Sequence, residues 1–267
     1  MRIPIDCHSH SEHSSDAKYT VKSMCQRAEE LNLQVFAITD HCDVNLHGVD
    51  LLRDSMGKSF DDTLVCREEM HSKIKILSGI ELNGYVENEE VAKEMIHFKE
   101  YDMILGSVHN GIGARAYSLL EFDKERITEL LCEYFDLLNE TAKIPEINVI
   151  AHCTYPLRYI EGDMGMTVNM SDYTDRRDEF YRIIIQQGTA LEVNSAGLKK
   201  KIGQPSPNLD CLIRYRELGG ELLTLGSDAH APDDIAYGFD YCTEMIQRAG
   251  FRYLTYFDKQ KPVFYKI

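Results

Sequence analysis

The segment IPIDCHSH, residues 3–10, decides the fold, because its two side-chain parities differ in chemistry. Successive side chains of an extended chain point to opposite faces. Ile3, Ile5 and Cys7 therefore share one face, while Asp6, His8 and His10 share the other. The split recurs along the chain: His109 opposes Val108, His152 opposes Val149 and Ala151, and Asp228 and His230 oppose Leu223 and Leu225. The apolar parity suits packing against helices. The polar parity then points into the middle of a curved sheet, where acids and imidazoles converge.

Working outward, seven apolar runs have strand length: residues 3–8, 35–40, 75–81, 103–109, 148–152, 189–194 and 222–228. Helical patterns lie between them. Val21, Met24, Cys25, Ala28 and Leu31 follow Thr20 as N-cap, and Ile127, Leu130, Leu131, Tyr134 and Leu138 repeat the spacing. DEFYRIIIQQG ends on Gly188, a usual C-cap residue, and PNLDCLIRYRELGG begins with Asn208 as cap and stops at Gly219. Alternating strands and helices mean βα units and a parallel sheet, and seven units without a linker suggest a closed barrel. One domain, residues 1–267, is expected. Residues 42–73 and 162–178 look too irregular for ordinary connections and are expected to be long, functional loops.

Composition is that of a globular protein, with 43% hydrophobic and 27% charged residues. A formal charge of −15 disfavours a nucleic-acid backbone as partner, since such binding rests on basic patches. The N-terminus turns polar at once and no apolar run reaches the roughly 18 residues of a membrane span. No membrane partner and a cytoplasmic location are expected. Eight cysteines without CxxC spacing are expected to be reduced and mostly buried, including Cys7, Cys42 and Cys153 beside histidines.

The ionisable residues sit at corresponding places, the C-terminal ends of strands, where βα-barrels gather their catalytic groups. They are His8 and His10, His41 in ITDH, Glu81 in GIELN, His109 in SVHN, His152 in AHCTYP, and Asp228 and His230 in GSDAH. A lone HxH is an ordinary coincidence in a chain with ten histidines. The set is not, because burying so many imidazoles and carboxylates costs too much without a compensating cation. Asp16, in the loop after the first strand, is a further candidate, although a loop-capping aspartate is its simpler role. Nine candidate ligands exceed what one ion needs and imply two or three divalent ions, with zinc, iron or manganese all compatible. His13, His47, His71 and His97 are not assigned as ligands.

HSHSEHSSDA, ITDH, GIELN, SVHN, AHCTYP and GSDAH, in this order, resemble the PHP (polymerase and histidinol phosphatase) superfamily. Within it, AHCTYPLRYI, LEVNSAGLKK and LGSDAH are similar to the histidinol-phosphate phosphatases of the PHP type. The resemblance covers nearly the whole chain. It implies a distorted (β/α)7 barrel with a trinuclear metal site at the C-terminal strand ends. His8, His10, Glu81 and Asp228 would hold one ion, Glu81 would bridge to a second held by His109 and His152, and Asp16, His41 and His230 would hold a third. The activity implied is hydrolysis of a small phosphomonoester, L-histidinol phosphate, in histidine biosynthesis, by in-line attack of metal-bound hydroxide.

Such a substrate needs a cationic clamp, and Arg158, six residues after His152, is the leading candidate because guanidinium grips phosphate bidentately. Asp228, His230 and Arg158 are expected to carry catalysis. Arg158, Lys199, Arg115 and Asn194 are the substrate-binding candidates. Lys199 stands where family members often carry arginine, and Asn194 is expected at the rim. Thr154 departs from a commoner aspartate two residues after His152. The alternatives are a PHP phosphoesterase for nucleotides, oligonucleotides or phosphotyrosyl proteins, and a non-catalytic metal-binding module. The amidohydrolases also begin with HxH on a barrel strand, but Glu81 at the bridging position disfavours them, since they commonly bridge their metals with a modified lysine.

Overall fold

The computed structural model of the protein describes residues 4–111, 116–119 and 124–267. The chain alternates β1 (Ile5–Asp6), α1 (Val21–Glu30), β2 (Val35–Asp43), α2 (Val49–Met70), β3 (Lys75–Asn83), α3 (Glu89–Ile96), β4 (Met103–Ser107), α4 (Lys124–Ala142), β5 (Val149–Ile150), α5 (Thr174–Gln187), β6 (Ala190–Asn194), α6 (Leu209–Glu217), β7 (Leu223–Gly226) and α7 (Phe239–Arg248). A hairpin of β8 (Tyr253–Asp258) and β9 (Lys261–Lys266) follows.

β1 to β7 form one parallel sheet in sequence order. The ring closes between β7 and β1 through backbone bonds outside regular strand geometry. Cys7 N donates to Leu225 O (2.9 Å), Asp228 N to His8 O (2.8 Å) and His10 N to Ala229 O (2.8 Å). The architecture is thus a nearly closed, distorted seven-stranded α/β barrel, as expected. Its distortion lies at the seam that carries His8, His10 and Asp228. Asp228 itself has φ +55°, a left-handed conformation that aspartate tolerates better than most residues.

Local signals hold where capping chemistry is explicit. Thr20 accepts from Ser23 N, Asn208 accepts from Cys211 N, and Gly188 closes α5 at φ +76°. Residues 42–73 are not a long loop: β2 runs on to Asp43 and the 22-residue helix α2 fills most of the rest. Its buried stripe, Leu52, Met56, Ser59, Thr63, Cys66 and Met70, has helical spacing, but Ser59 and Thr63 weaken it. Leu51, Leu64 and Val65 are exposed on the other side, so hydropathy contrast is lost. Residues 162–178 are also more ordered than expected, with a π-helical turn at Arg158–Asp163, a 3-10 turn at Met170–Tyr173, and α5 starting at Thr174.

The hairpin was hidden by its turn. Lys259 and Gln260 both take positive φ, a job usually given to Asn-Gly. Asp102 stabilises it from the start of β4, its side chain accepting from Lys259 N (3.1 Å) and its carbonyl from Gln260 N (2.7 Å). The eight cysteines are free and all but Cys132 are buried. Among the described residues no helix is long and apolar enough to cross a membrane.

Candidate metal centre and cleft

The structure brings all nine candidate ligands together at the C-terminal strand ends, in overlapping clusters. His8 Nε2 lies 3.1 Å from His10 Nε2 and 3.4 Å from Glu81 Oε2, and His10 Nε2 lies 3.2 Å from Asp228 Oδ1. The other Glu81 oxygen, Oε1, is 3.1 Å from His109 Nε2 and 2.7 Å from His152 Nε2, which are 3.3 Å from each other. His230 Nε2 is 3.2 Å from Asp16 Oδ2 and 3.4 Å from His41 Nε2, and His41 Nε2 is 3.6 Å from Asp16 Oδ1.

These spacings are compatible with atoms sharing an ion. Ligands about 2.1 Å from a tetrahedral centre stand roughly 3.4 Å from each other. Glu81 supplies an independent test of fit: it is fully buried, and its Oε2 has no hydrogen-bond donor among the described residues. His41 Nδ1, 2.8 Å away, is off the line for such a bond. A buried, unsatisfied carboxylate oxygen facing imidazole nitrogens is what a divalent cation would satisfy. The donor set of imidazoles and carboxylates suits divalent metals.

The electrostatics are those of a centre short of positive charge. Burial pulls the His8 imidazole toward neutrality, but Glu192, Glu81 and Asp228 outweigh it and raise its pKa well above the usual value. Burial likewise opposes, and Glu81 with Asp16 overcomes, the upward shift of His41. His109 is raised to about 9, Glu81 again prevailing over burial. His10 moves the other way, to about 3, through burial and then the charges of His41 and His230. Burial raises Asp6 to about 6, although Ser227 and Ala236 donate to it.

Five of the candidate ligands, Asp16, His41, His109, Asp228 and His230, border a cleft of about 500 Å³ lined also by Asp43, Leu46, Tyr155, Arg158, Tyr159 and Tyr237. Arg158 is buried in its wall, its Nη2 donating to Asn194 Oδ1 (2.7 Å) and Asp228 Oδ2 (3.3 Å). The guanidinium stacks over Tyr155, whose hydroxyl lies 2.8 Å from that of Tyr159. Lys199 reaches the rim, where its ammonium pairs with Asp234 and covers the Tyr237 ring. Asn194 is not at the rim: it is fully buried beneath Arg158, and its amide donates to Glu192 (3.1 Å) and Asp228 (3.3 Å). Arg115 lies outside the described residues.

Other residues at the site escaped the sequence reading. Asp40 accepts from Ser11 N and Oγ, Ser14 Oγ and Ser59 Oγ, which pins the loop leading to Asp16. Ser14 Oγ in turn meets His10 Nδ1 (3.1 Å) and His41 N (3.0 Å). Glu192 lies 2.7 Å from His8 Nδ1. Its signal was present, since it shares the polar parity of Asn194 in TALEVN. Thr154, at the position of the commoner aspartate, bonds Ser206 Oγ (2.7 Å).

A parallel βα-barrel with clustered imidazoles and carboxylates at its C-terminal strand ends, opening on a cleft, defines the class of metal-dependent barrel enzymes. The chain belongs to the PHP domain family, which it matches over residues 6–196. It is 28% identical to a probable histidinol-phosphatase of Clostridium acetobutylicum, covering 98% of this chain and 96% of that protein. It is 24% identical to the histidinol-phosphatase of Lactococcus lactis, covering 96% of this chain and 95% of that one. Among solved structures, the histidinol phosphate phosphatase of Lactococcus lactis, complexed with zinc, L-histidinol and phosphate, superposes with a TM-score of 0.80. That match has 22% identity and covers 97% of this chain and 98% of the other.

Proposed function

We propose that the protein is a metal-dependent phosphomonoesterase that hydrolyses L-histidinol phosphate to L-histidinol and phosphate. The observation that carries the phosphatase reading is the position of Arg158. A buried guanidinium 3.3 Å from a candidate metal ligand, Asp228, and opening on the same cleft is an anion clamp beside the metal centre. A module that merely stored metal would need neither clamp nor cleft. The substrate rests on relatives named for that activity which match this chain over nearly their whole length.

His8, His10, Glu81 and Asp228 would hold one ion, Glu81, His109 and His152 a second, and Asp16, His41 and His230 a third. Two or three divalent ions, with zinc, iron or manganese suited to the donors, would neutralise phosphate charge and make a water more acidic. The chain's own groups do the rest. Both hydrogens of Arg158 Nη2 are committed to Asn194 and Asp228, and Nε is buried, so Nη1 is the donor offered to a phosphate oxygen. Burial holds the Tyr155 hydroxyl well above the usual phenol range, so it stays a hydrogen-bond donor in the cleft wall. Lys199, paired with Asp234, adds positive charge at the rim, partly offset by that carboxylate. At about 500 Å³ the cleft has room for a small ester, and with −15 overall charge the chain is a poor host for nucleic acid.

Steady-state kinetics over a phosphomonoester panel, with metal analysis of the same preparation, tests the substrate. L-histidinol phosphate is expected to give the highest kcat/KM. A preference above tenfold for a nucleotide or phosphotyrosine would overturn that choice and leave the phosphatase reading intact.

A further inference from the structure

Glu192 sits under the metal centre in contact with parts of it that come from separate strands. From the middle of β6, and almost fully buried, its Oε1 lies 2.7 Å from His8 Nδ1. Its Oε2 accepts from the backbone N–H of His152 (2.8 Å) and from Asn194 Nδ2 (3.1 Å). Among the described residues its one ion-pairing partner is His8. No arginine or lysine compensates it there.

The other clustered histidines lack such an in-line carboxylate on Nδ1; His41 Nδ1 comes within 2.8 Å of Glu81 Oε2, itself a candidate ligand, without hydrogen-bond geometry. His10 Nδ1 meets Ser14 Oγ, His230 Nδ1 meets the Asp228 carbonyl (3.0 Å), and His109 Nδ1 is 3.7 Å from Asp43. His152 Nδ1 is buried without a partner. An imidazole that donates its Nδ1–H to a carboxylate is locked in the tautomer that leaves Nε2 free, and it becomes a stronger ligand. His8 is also the histidine whose Nε2 falls within reach of both the His10–Asp228 pair and the Glu81–His152 pair. The surrounding chain is shaped to the contact, since a Cβ at Gly226 on the neighbouring strand would collide with both Glu192 Oε1 and His8 Cβ.

We propose that Glu192 is a positioning residue that sets the metal affinity of the centre: its carboxylate fixes His8 as an Nε2 ligand and, through the His152 N–H, holds the first and second ion positions in register. The inference rests on the metal-centre reading above. Glu192 does not touch the cleft, and its effect passes through His8 and His152.

The direct test is Glu192→Gln, which keeps shape and removes charge. The single amide oxygen cannot accept from both His8 and the His152 N–H, so one of them meets an NH2 group instead. Two readouts separate positioning from bulk stability: the chelator concentration that strips half the metal, and the thermal midpoints of the metal-free and metal-loaded protein. Loss of an outer partner of a ligating histidine is worth about 10–100-fold in metal affinity. Glu192→Gln is therefore expected to release zinc or manganese at an at least tenfold lower chelator concentration, with a smaller fall in the metal-free midpoint than in the metal-loaded one, because the metal-free protein loses only the His8–Glu192 contact. A half-stripping concentration within threefold of wild type would overturn the proposal. So would equal falls in the metal-free and metal-loaded midpoints, which mark a purely structural role. If Glu192→Gln does not fold, Glu192→Asp keeps the charge but withdraws it from His8, and the same criteria apply. Wild type that binds no metal would instead refute the metal centre itself.

Discussion

Replacing Arg158 by alanine should separate substrate capture from metal binding. In the free protein Nη2 is held by Asn194 and Asp228, Nε is buried without an acceptor, and Nη1 bonds no described residue. The contribution to binding a phosphate is then one charge-assisted hydrogen bond, not the bidentate fork expected from guanidinium chemistry alone. Such a bond contributes about 1.5–3 kcal/mol net, and with about 1.4 kcal/mol per decade kcat/KM should fall about 10- to 150-fold. Metal content should stay near wild type, because the ligand atoms of Asp228 and its neighbours remain. Steady-state kinetics on L-histidinol phosphate, with metal analysis of the same sample, reads both quantities. A loss below threefold would refute the clamp. A loss of metal in proportion to activity would mean that Arg158 acts by holding Asp228, and the geometry assigned to Nη1 would be wrong.

Asp228→Asn should all but abolish turnover and reduce metal content, since the amide is neutral and its NH2 must face either the Arg158 and Asn194 donors or the ligand cluster; full activity with full metal would refute the ligand assignment. Chelation should lower the thermal midpoint, because any ion that binds the folded centre and not the unfolded chain adds its binding energy to stability. Restoring an ion should raise it by about 1.4 kcal/mol per tenfold excess over Kd, or about 3–6 °C at about 2–4 °C per kcal/mol; a midpoint independent of metal would contradict the site. The stability of the metal-free protein and its metal affinity should depend on pH with opposite signs. His8, His41 and His109 have folded pKa values raised above the unfolded value, His109 to about 9, so their stabilisation is present below about 6.5 and lost as pH rises through the folded values. From pH 7 to 9 the metal-free protein should lose stability while metal affinity increases, because binding must expel those protons. Titrating metal into weakly buffered protein near pH 7 should release protons, and proton uptake would refute the assignment.

How far the site was legible in the chain follows from what strand parity can report. Alternation placed His8, His109, His152 and Asp228 on a polar face and at strand ends, and family resemblance grouped them. The ligand atoms lie close together, but their clusters also cross that grouping, His41 approaching Glu81 and His109 as well as His230. Parity also held Glu192 beside Asn194, but a single glutamate in TALEVN has no motif to raise it above a structural residue. The helix α2 was obscured because Ser59 and Thr63 sit in its buried stripe while Leu51, Leu64 and Val65 face outward. The hairpin turn was obscured because Asp102, from a distant strand, stabilises a Lys-Gln pair in positive φ.

The sequence by itself determined the seven-fold alternation, the barrel class and the types of side chain that converge, because these depend on local period and on the cost of burying charge. The tertiary structure decided which oxygen of Glu81 faces which histidines, that Arg158 spends Nη2 on Asn194 and Asp228, that Asn194 lies under the cleft wall, and that Glu192 stands behind His8. Those are relations between strands far apart in sequence, set by register and by the irregular seam between β7 and β1. Neighbouring residues along the chain carry no record of them.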